Sequence, residues 1–380
     1  TDSLNDACIA ANEFRKGRLF VSAYEALNDM MNWPVYGLDQ RHKGPMMLDA
    51  MQSLTAHHTC ACPSYRQILE KLWGAQDFAS IEALPFLPVR LFKHECLLSV
   101  PQSEVVKTMT SSGTSGQNVS QIFLDKQTSA MQVKVLSRIM GEFIGPRRLP
   151  MLVIDCRSIV ANRLKFSART AGILGFSMFG RDVEFALDDD MSLNEERVSQ
   201  FATKHAGQPL LIFGFTFIVW LHLLRWLEYR NESLALEQGI LIHGGGWKQL
   251  QSQAVDAHEF KQRLKAVTGI NRVHNYYGMV EQTGSIFMEC EHGHLHASAW
   301  SDVIVRDPIN FKPLPPGQPG LIQLLSVIPR SYPGHSLLSE DEGVLLGVDD
   351  CPCGRLGAFF KVLGRIQNAE MRGCSDTYTR

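Results

Sequence analysis

Apolar residues recur at threes and fours around Phe20 to Met31 and Tyr65 to Trp73, which predicts helices through the first 83 residues. Leu84-Pro-Phe-Leu-Pro88 breaks that period, because each proline restricts itself and the residue before it, so a new unit is expected from residue 84. Thr128 to Phe143 reads as a helix and Pro150-Met-Leu-Val-Ile-Asp155 as a buried parallel strand. The strand-then-helix plan repeats at Leu210 to Gly214, with a helix to Tyr229, and at Gly239 to His243, followed by glycines. Such alternation predicts an α/β fold with ligands at the strand ends. Beyond Trp300, Pro313, Pro315, Pro316, Gly317, Pro319 and Gly320 predict a change to short antiparallel strands. No internal repeat is visible, and three parts are expected: 1–83, 84–365 and a tail, 366–380.

Composition narrows the class. Lys and Arg total 37 against 39 Asp and Glu in 380 residues, so no field favours nucleic acid or an anionic membrane surface. The longest apolar stretch, Leu210 to Leu224, is short for a bilayer span, contains Gly214 and His222 and runs into Arg225, which reads as core. Thr1-Asp-Ser-Leu-Asn-Asp6 lacks the basic start and apolar run of a secretory signal, so a cytoplasmic protein is expected. Nine cysteines, an odd number, fit reduced thiols or metal ligands better than a disulfide framework. Cys60-Ala-Cys62, after His57 and His58, has no evident distant partner pair and is read as structural.

The chemistry concentrates in an ordered series. Ser111-Ser-Gly-Thr-Ser-Gly116 has glycines that let backbone N–H groups converge on an anion and hydroxyls that add donors, which suits nucleotide phosphates; the same composition also makes an ordinary turn. Downstream come Gly244-Gly-Gly246, Tyr277-Gly-Met-Val-Glu281, Gly317 to Gly320, Asp341, and Gly364-Arg365 near Arg372-Gly373. Small residues let an adenine lie on backbone, tyrosine offers a flat face, and a carboxylate holds a hard cation or ribose hydroxyls. Separately, Cys290-Glu-His292-Gly-His294-Leu-His296 and Cys351-Pro-Cys353 carry enough soft and borderline ligands for a closed tetrahedral zinc site, or are two unmetallated turns. Phe213 to Leu221 reads either as a channel for an acyl chain or as packed core.

The series resembles the adenylate-forming superfamily of acyl-CoA synthetases and phenylacetate-CoA-ligase-like enzymes. More closely, Leu84-Pro-Phe-Leu-Pro-Val-Arg-Leu-Phe-Lys93, the Ser-Ser-Gly-Thr-Ser-Gly-Gln117 loop, Phe213-Gly-Phe-Thr-Phe217 and Arg372-Gly-Cys374 resemble the LuxE-type acyl-protein synthetases, the fatty-acid-activating subunits of a bacterial fatty acid reductase in bioluminescence. The likeness runs over nearly the whole chain. It implies an adenylate-forming α/β core of mixed parallel sheets flanked by helices plus a small antiparallel part, with ATP and Mg²⁺ as cofactors. By position it implies a phosphate loop at Ser111, Ser112, Gly113, Thr114, Ser115 and Gly116; adenine framed by Gly244, Gly245, Gly246 and Tyr277; and Mg²⁺ on Glu281. Ribose would lie on Asp341, a hinge at Arg365, and substrate along Phe213, Gly214, Phe215 and Thr216. For zinc it favours Cys290, His296, Cys351 and Cys353, with His292 or His294 as substitutes.

Two departures matter. The superfamily loop closes with a lysine where this chain has Gln117, so other cations must meet the phosphates, and the sequence stops at Arg380, just after the hinge motif, which implies that the usual C-terminal domain is lacking. The resemblance therefore implies activation of a long-chain fatty acid to acyl-AMP and capture by Cys374 as a thioester, with Arg372 favouring the thiolate. The expected partners are a LuxC-like acyl reductase and an acyl transferase subunit. The alternatives are an acyl-CoA or aryl-CoA ligase using free CoA, and an idle scaffold homologue.

Overall fold

Strands that read as continuous apolar runs lie side by side toward one end of a twelve-stranded sheet. The computed structural model describes residues 30–74, 78–111, 119–161, 168–247, 250 and 253–366. Its strands are β1 (Leu87–Pro88), β2 (Val105–Thr110), β3 (Gln121–Asp125), β4 (Leu149–Cys156), β5 (Gly180–Leu187), β6 (Leu210–Phe215) and β7 (Gly239–Gly244). They continue with β8 (Arg272–Tyr277), β9 (Phe287–Glu289), β10 (Leu295–His296), β11 (Ser301–Arg306), β12 (Pro319–Ser326), β13 (Ser336–Val348) and β14 (Ala358–Arg365). The order is β11-β12-β13-β14-β10-β9-β8-β7-β6-β4-β5, with β1 added on β13, while β2 and β3 form a separate hairpin. The neighbours from β5 through β8 pair in parallel and those from β8 through β11 antiparallel, so the two predicted kinds of strand share one sheet.

All of β6 and β7 and nearly all of β4 are buried, the signature of a parallel sheet covered on both faces. The helix expected at Thr128 spans Lys126–Ile144; Asp125 caps it by accepting from the Thr128 N–H at 2.7 Å, and Gly145 at φ 79° ends it. The apolar run from Leu210 is strand followed by helix, tightly joined. A Cβ on Gly214 would stand 2.6 Å from Val219 Cγ2 and 3.0 Å from Ile154 Cβ, so only glycine permits that approach. The helical turns widen to π over Val219–Leu224 before closing at Arg225–Arg230. Among the described residues no helix is long and apolar enough to cross a membrane.

The antiparallel part departs from the expectation of short strands, since β13 runs for 13 residues. Its glycines punctuate bulges instead of ends: the register shifts at Glu342/Gly343 and Leu345/Gly347, and a Cβ at Gly343 or Gly347 would meet neighbours at 2.5 or 2.3 Å. The bulges let one strand bend while paired on both sides.

Helices Gln40–Ala61, capped by Asp39, and Pro63–Leu72 precede the sheet. His57 and His58 lie on the first. His58 is fully buried, its ring stacked 4.9 Å from that of His335, with Nδ1 2.8 Å from Ser99 Oγ and Nε2 3.2 Å from the Pro329 carbonyl. This contact locks the helix to the β12–β13 connection, in keeping with a structural reading of the segment.

Burial holds His335 and the β7 residue His243 down to about 3, and His58 well below its usual range. A histidine depressed in the fold takes up its proton on unfolding, so its stabilising effect is complete above pH 6.5 and is lost as pH falls from there toward 3. The raised carboxyls of Glu281 and Asp341 work the other way, because the fold disfavours their ionised forms. The three histidines together are expected to remove up to about 4 kcal/mol per pH unit below 6.5. Urea melts at pH 7.5 and 5.5 should show this; equal unfolding free energies would contradict it.

Candidate functional site

Three of the expected nucleotide residues, one each from β8, β13 and β14, meet through their side chains. Antiparallel pairing sets Asp341 of β13 opposite Arg365 of β14. The Tyr277 hydroxyl at the end of β8 donates to Asp341 Oδ2 at 2.6 Å, and Arg365 Nε lies 3.5 Å from Oδ1. Ser339 Oγ accepts from the Asp341 N–H at 3.2 Å, fixing the backbone there. Burial raises the Asp341 carboxyl, while the Tyr277 hydroxyl and the Arg365 charge oppose the rise. Burial and the neighbouring Asp341 charge push Tyr277 well above the ordinary phenol range, so it remains a donor.

Glu281 follows on the short 3₁₀ turn Val280–Gln282 and is 5% exposed. Its neighbour Gln282 pins the turn, donating to the Leu324 carbonyl at 3.1 Å and the Gly334 carbonyl at 2.8 Å. Burial pushes the Glu281 carboxyl up; the Ser120 hydroxyl and the Arg365 charge lower it, and the Glu340 charge adds to the rise. A buried carboxylate with such neighbours is suited to meet a cation.

Ser111 and Ser120 close the base of the candidate phosphate loop. Ser111 N–H donates to the Ser120 carbonyl at 3.2 Å, and Ser120 N–H to Ser111 Oγ at 2.9 Å. Ser112, Gly113, Thr114, Ser115 and Gly116 lie outside the described residues, as does Cys374.

The glycine run ends β7 and turns sharply, with Gly245 at φ 85° and Gly246 at φ 67°. A Cβ on Gly244 would come within 2.6 Å of the Tyr276 ring, and one on Gly245 within 2.9 Å of the Phe215 ring. The ring beside the glycines thus belongs to Tyr276, whereas Tyr277, one residue on, turns toward Phe287 and Phe360. Phe213 is fully buried and stacks on Phe176 at 4.4 Å, and Gly214 lies deep in the sheet, so this half of the predicted substrate segment sits in the core. Phe215 and Thr216 reach the glycine turn. The Thr216 hydroxyl donates to the Gly244 carbonyl at 3.1 Å and lies 2.9 Å from His243 Nδ1. Its single proton is then used, which assigns the Nδ1–H tautomer to a neutral His243.

The cysteine and histidine clips converge. Ligand atoms of Cys290, His296, Cys351 and Cys353 all lie within 4.8 Å of one another. Cys290 Sγ is 4.0 Å from Cys351 Sγ, and Cys353 Sγ 3.4 Å from His296 Nε2. Zn–S bonds of about 2.3 Å and Zn–N bonds of about 2.0 Å in a tetrahedron give edges of about 3.8 and 3.5 Å, so the set fits zinc. Two like turns present the thiols: Gly293 N–H donates to the Cys290 carbonyl and Gly354 N–H to that of Cys351, each glycine at positive φ. Burial and the Arg355 charge hold His296 down to about 4, so its imidazole is neutral as a ligand must be. His294 packs beside the set, Nδ1 3.2 Å from Cys351 Sγ.

Sequence reading missed Arg90 and Glu340, whose side chains pair beside Asp341. The proline-marked segment held the signal, since Pro88 hides an extended dipeptide that adds to β13.

The family model described as "Acyl-protein synthetase, LuxE" matches residues 29–380. The chain belongs to this family. It is accordingly a ligase. This LuxE-family chain is 25% identical over 321 residues to the long-chain-fatty-acid–luciferin-component ligase of Vibrio harveyi, covering 82% of this chain and 81% of that protein. It is 23% identical over 318 residues to the protein of that name from Aliivibrio fischeri, covering 82% of each. Among solved structures, 2-hydroxyisobutyryl-CoA ligase in its postadenylation state with R3-HIB-AMP superposes with a TM-score of 0.66 at 18% identity, over 87% of this chain and 69% of that one. Its open form with 2-HIB-AMP and CoA gives 0.63 at 20% identity, over 86% and 75%. The LuxE chain therefore has the fold of the adenylate-forming ligases.

Proposed function

We propose that the enzyme uses ATP to activate a long-chain fatty acid as acyl-AMP and transfers the acyl group to its own Cys374, for delivery to a partner acyl reductase that makes fatty aldehyde. The observation that carries the nucleotide half is the Tyr277–Asp341–Arg365 contact beside the buried Glu281. Family membership and the printed names of the two relatives support the fatty acid.

In this reading Asp341 accepts from the ribose hydroxyls, held in place by Tyr277. Gly244 to Gly246 frame the adenine with the Tyr276 ring beside them, in place of the expected Tyr277; Ser111 to Gly116 donate to the phosphates, and Arg365 marks the hinge. Glu281 holds Mg²⁺, which when bound neutralises phosphate charge as pyrophosphate departs. A fatty-acid carboxylate oxygen attacks the α-phosphorus, the bond to the β-phosphate oxygen breaks, and pyrophosphate leaves with the electron pair. The Cys374 thiolate then attacks the acyl carbon and AMP leaves, giving a thioester that can pass to another thiol. Phe215 and Thr216 border the acyl site at the glycine turn. Cys290, His296, Cys351 and Cys353 hold a structural zinc.

Labelled fatty acid with Mg-ATP tests the reading. The expected result is a hydroxylamine-sensitive label retained on the denatured chain, absent from Cys374→Ala and located on the C-terminal peptide by mass spectrometry. Soluble acyl-CoA formed from free CoA, with no label on protein, would favour the CoA-ligase alternative. Failure to exchange pyrophosphate into ATP with any fatty acid would leave only a scaffold.

A further inference from the structure

A cation to which no role is assigned above stands next to the nucleotide residues. β1 pairs in parallel with β13, Leu87 opposite Leu337 and Pro88 opposite Leu338. Two residues further that register brings Arg90 to Glu340, and the Arg90 guanidinium donates from Nε to the Glu340 carboxylate. The Glu340 side chain is 9% exposed, whereas that of Arg90 is 47% exposed. The short helix Val89–Lys93 that carries Arg90 packs on both β13, the strand of Asp341, and β3, the strand that follows Ser120. The helix that carries Arg90 therefore lies between the strand that follows the base of the candidate phosphate loop and the strand of the candidate ribose carboxylate. The Glu340 charge also reaches Glu281 and Asp341, so three carboxylates lie near one another, with Arg90 paired to Glu340 and the Arg365 charge acting on Glu281 and Asp341.

We propose that Arg90 is the catalytic cation that meets the β- and γ-phosphates in place of the absent loop lysine, with Glu340 as the residue that positions it. The proposal rests on the adenylation reading above. As the bond between the α-phosphorus and the bridging oxygen breaks, negative charge moves onto departing pyrophosphate, and the neighbouring carboxylates of Glu281, Glu340 and Asp341 repel it. A guanidinium carries five donors in a fixed fork, so Nε can remain on Glu340 while the group engages phosphate oxygens. Gln117, at the position of the missing lysine, brings no charge.

Fatty-acid-dependent exchange of pyrophosphate into ATP, measured on the full chain, decides the matter. R90A is expected to lower kcat about 100-fold or more and to raise KM for pyrophosphate, with R90K restoring the charge but, lacking the fork, recovering only part of the loss. If Arg90 served only to neutralise a buried acid, removing that acid would cure its loss; the double variant R90A/E340Q is instead expected to stay as slow as R90A. Recovery of the double variant to near the wild-type rate would overturn the proposal, as would an unaltered R90A. R90Q, which keeps a donor for Glu340, carries the same test should R90A not fold. Lack of exchange by the wild-type protein would remove the adenylation reading itself, an outcome distinct from normal exchange by R90A.

Discussion

Replacing Cys351 with serine, or stripping metal from the protein with a strong chelator, is expected to lower the melting temperature by about 10 °C or more, a loss of several kcal/mol. The clip stands at the junction of β9, β10 and β14. β10 has two residues and is the strand that joins β9 to β14, and the turn from Cys351 to Gly357 is mostly irregular backbone. Four ligands drawn from those two turns would fix the register of β14 against β10 and β13. That register sets Asp341 opposite Arg365, so loss of metal is also expected to raise KM for ATP. The two effects should appear together, with about one zinc per chain by elemental analysis before chelation. Zinc-free protein with the same melting temperature would refute the assignment.

The same junction shows what the sequence made legible. The two Cys/His clips were readable because each keeps its spacing within one short turn, while the choice of His296 among three histidines came from the family resemblance; the parallel strands were readable because β4, β6 and β7 are apolar almost throughout. The glycines of the β7 turn were equally local, since Gly245 needs a positive φ that a side chain disfavours. Contacts made by topology alone were not readable. Tyr277 meets Asp341 across 64 residues and Arg90 meets Glu340 across 250. Neither pair carries a local pattern, because each depends on the register of strands that join in the folded sheet. The bulges of β13 were not readable for a related reason. Glycine marks both a strand end and a bulge, and only the neighbours at Gly343 and Gly347 distinguish them.

Glu281→Gln is expected to separate activity from stability, slowing adenylation about 10³-fold while leaving the fold as stable as before or more so by about 1 kcal/mol. The two signs have one cause. The carboxyl is buried, its ionised form is disfavoured there, and Glu340 adds like charge, so in the absence of a cation the wild-type chain holds an acid it would be more stable without. A neutral amide of the same shape relieves that cost and can still hydrogen-bond near Ser120. It gives up the charge that would hold Mg²⁺ against the phosphates. A residue kept for packing would show the reverse, losing stability on substitution and sparing the rate. Thermal unfolding and pyrophosphate exchange on the same preparation discriminate between these outcomes. A lowered melting temperature with exchange within tenfold of wild type would place Glu281 in the scaffold, and the metal would then have to be held by other acids nearby.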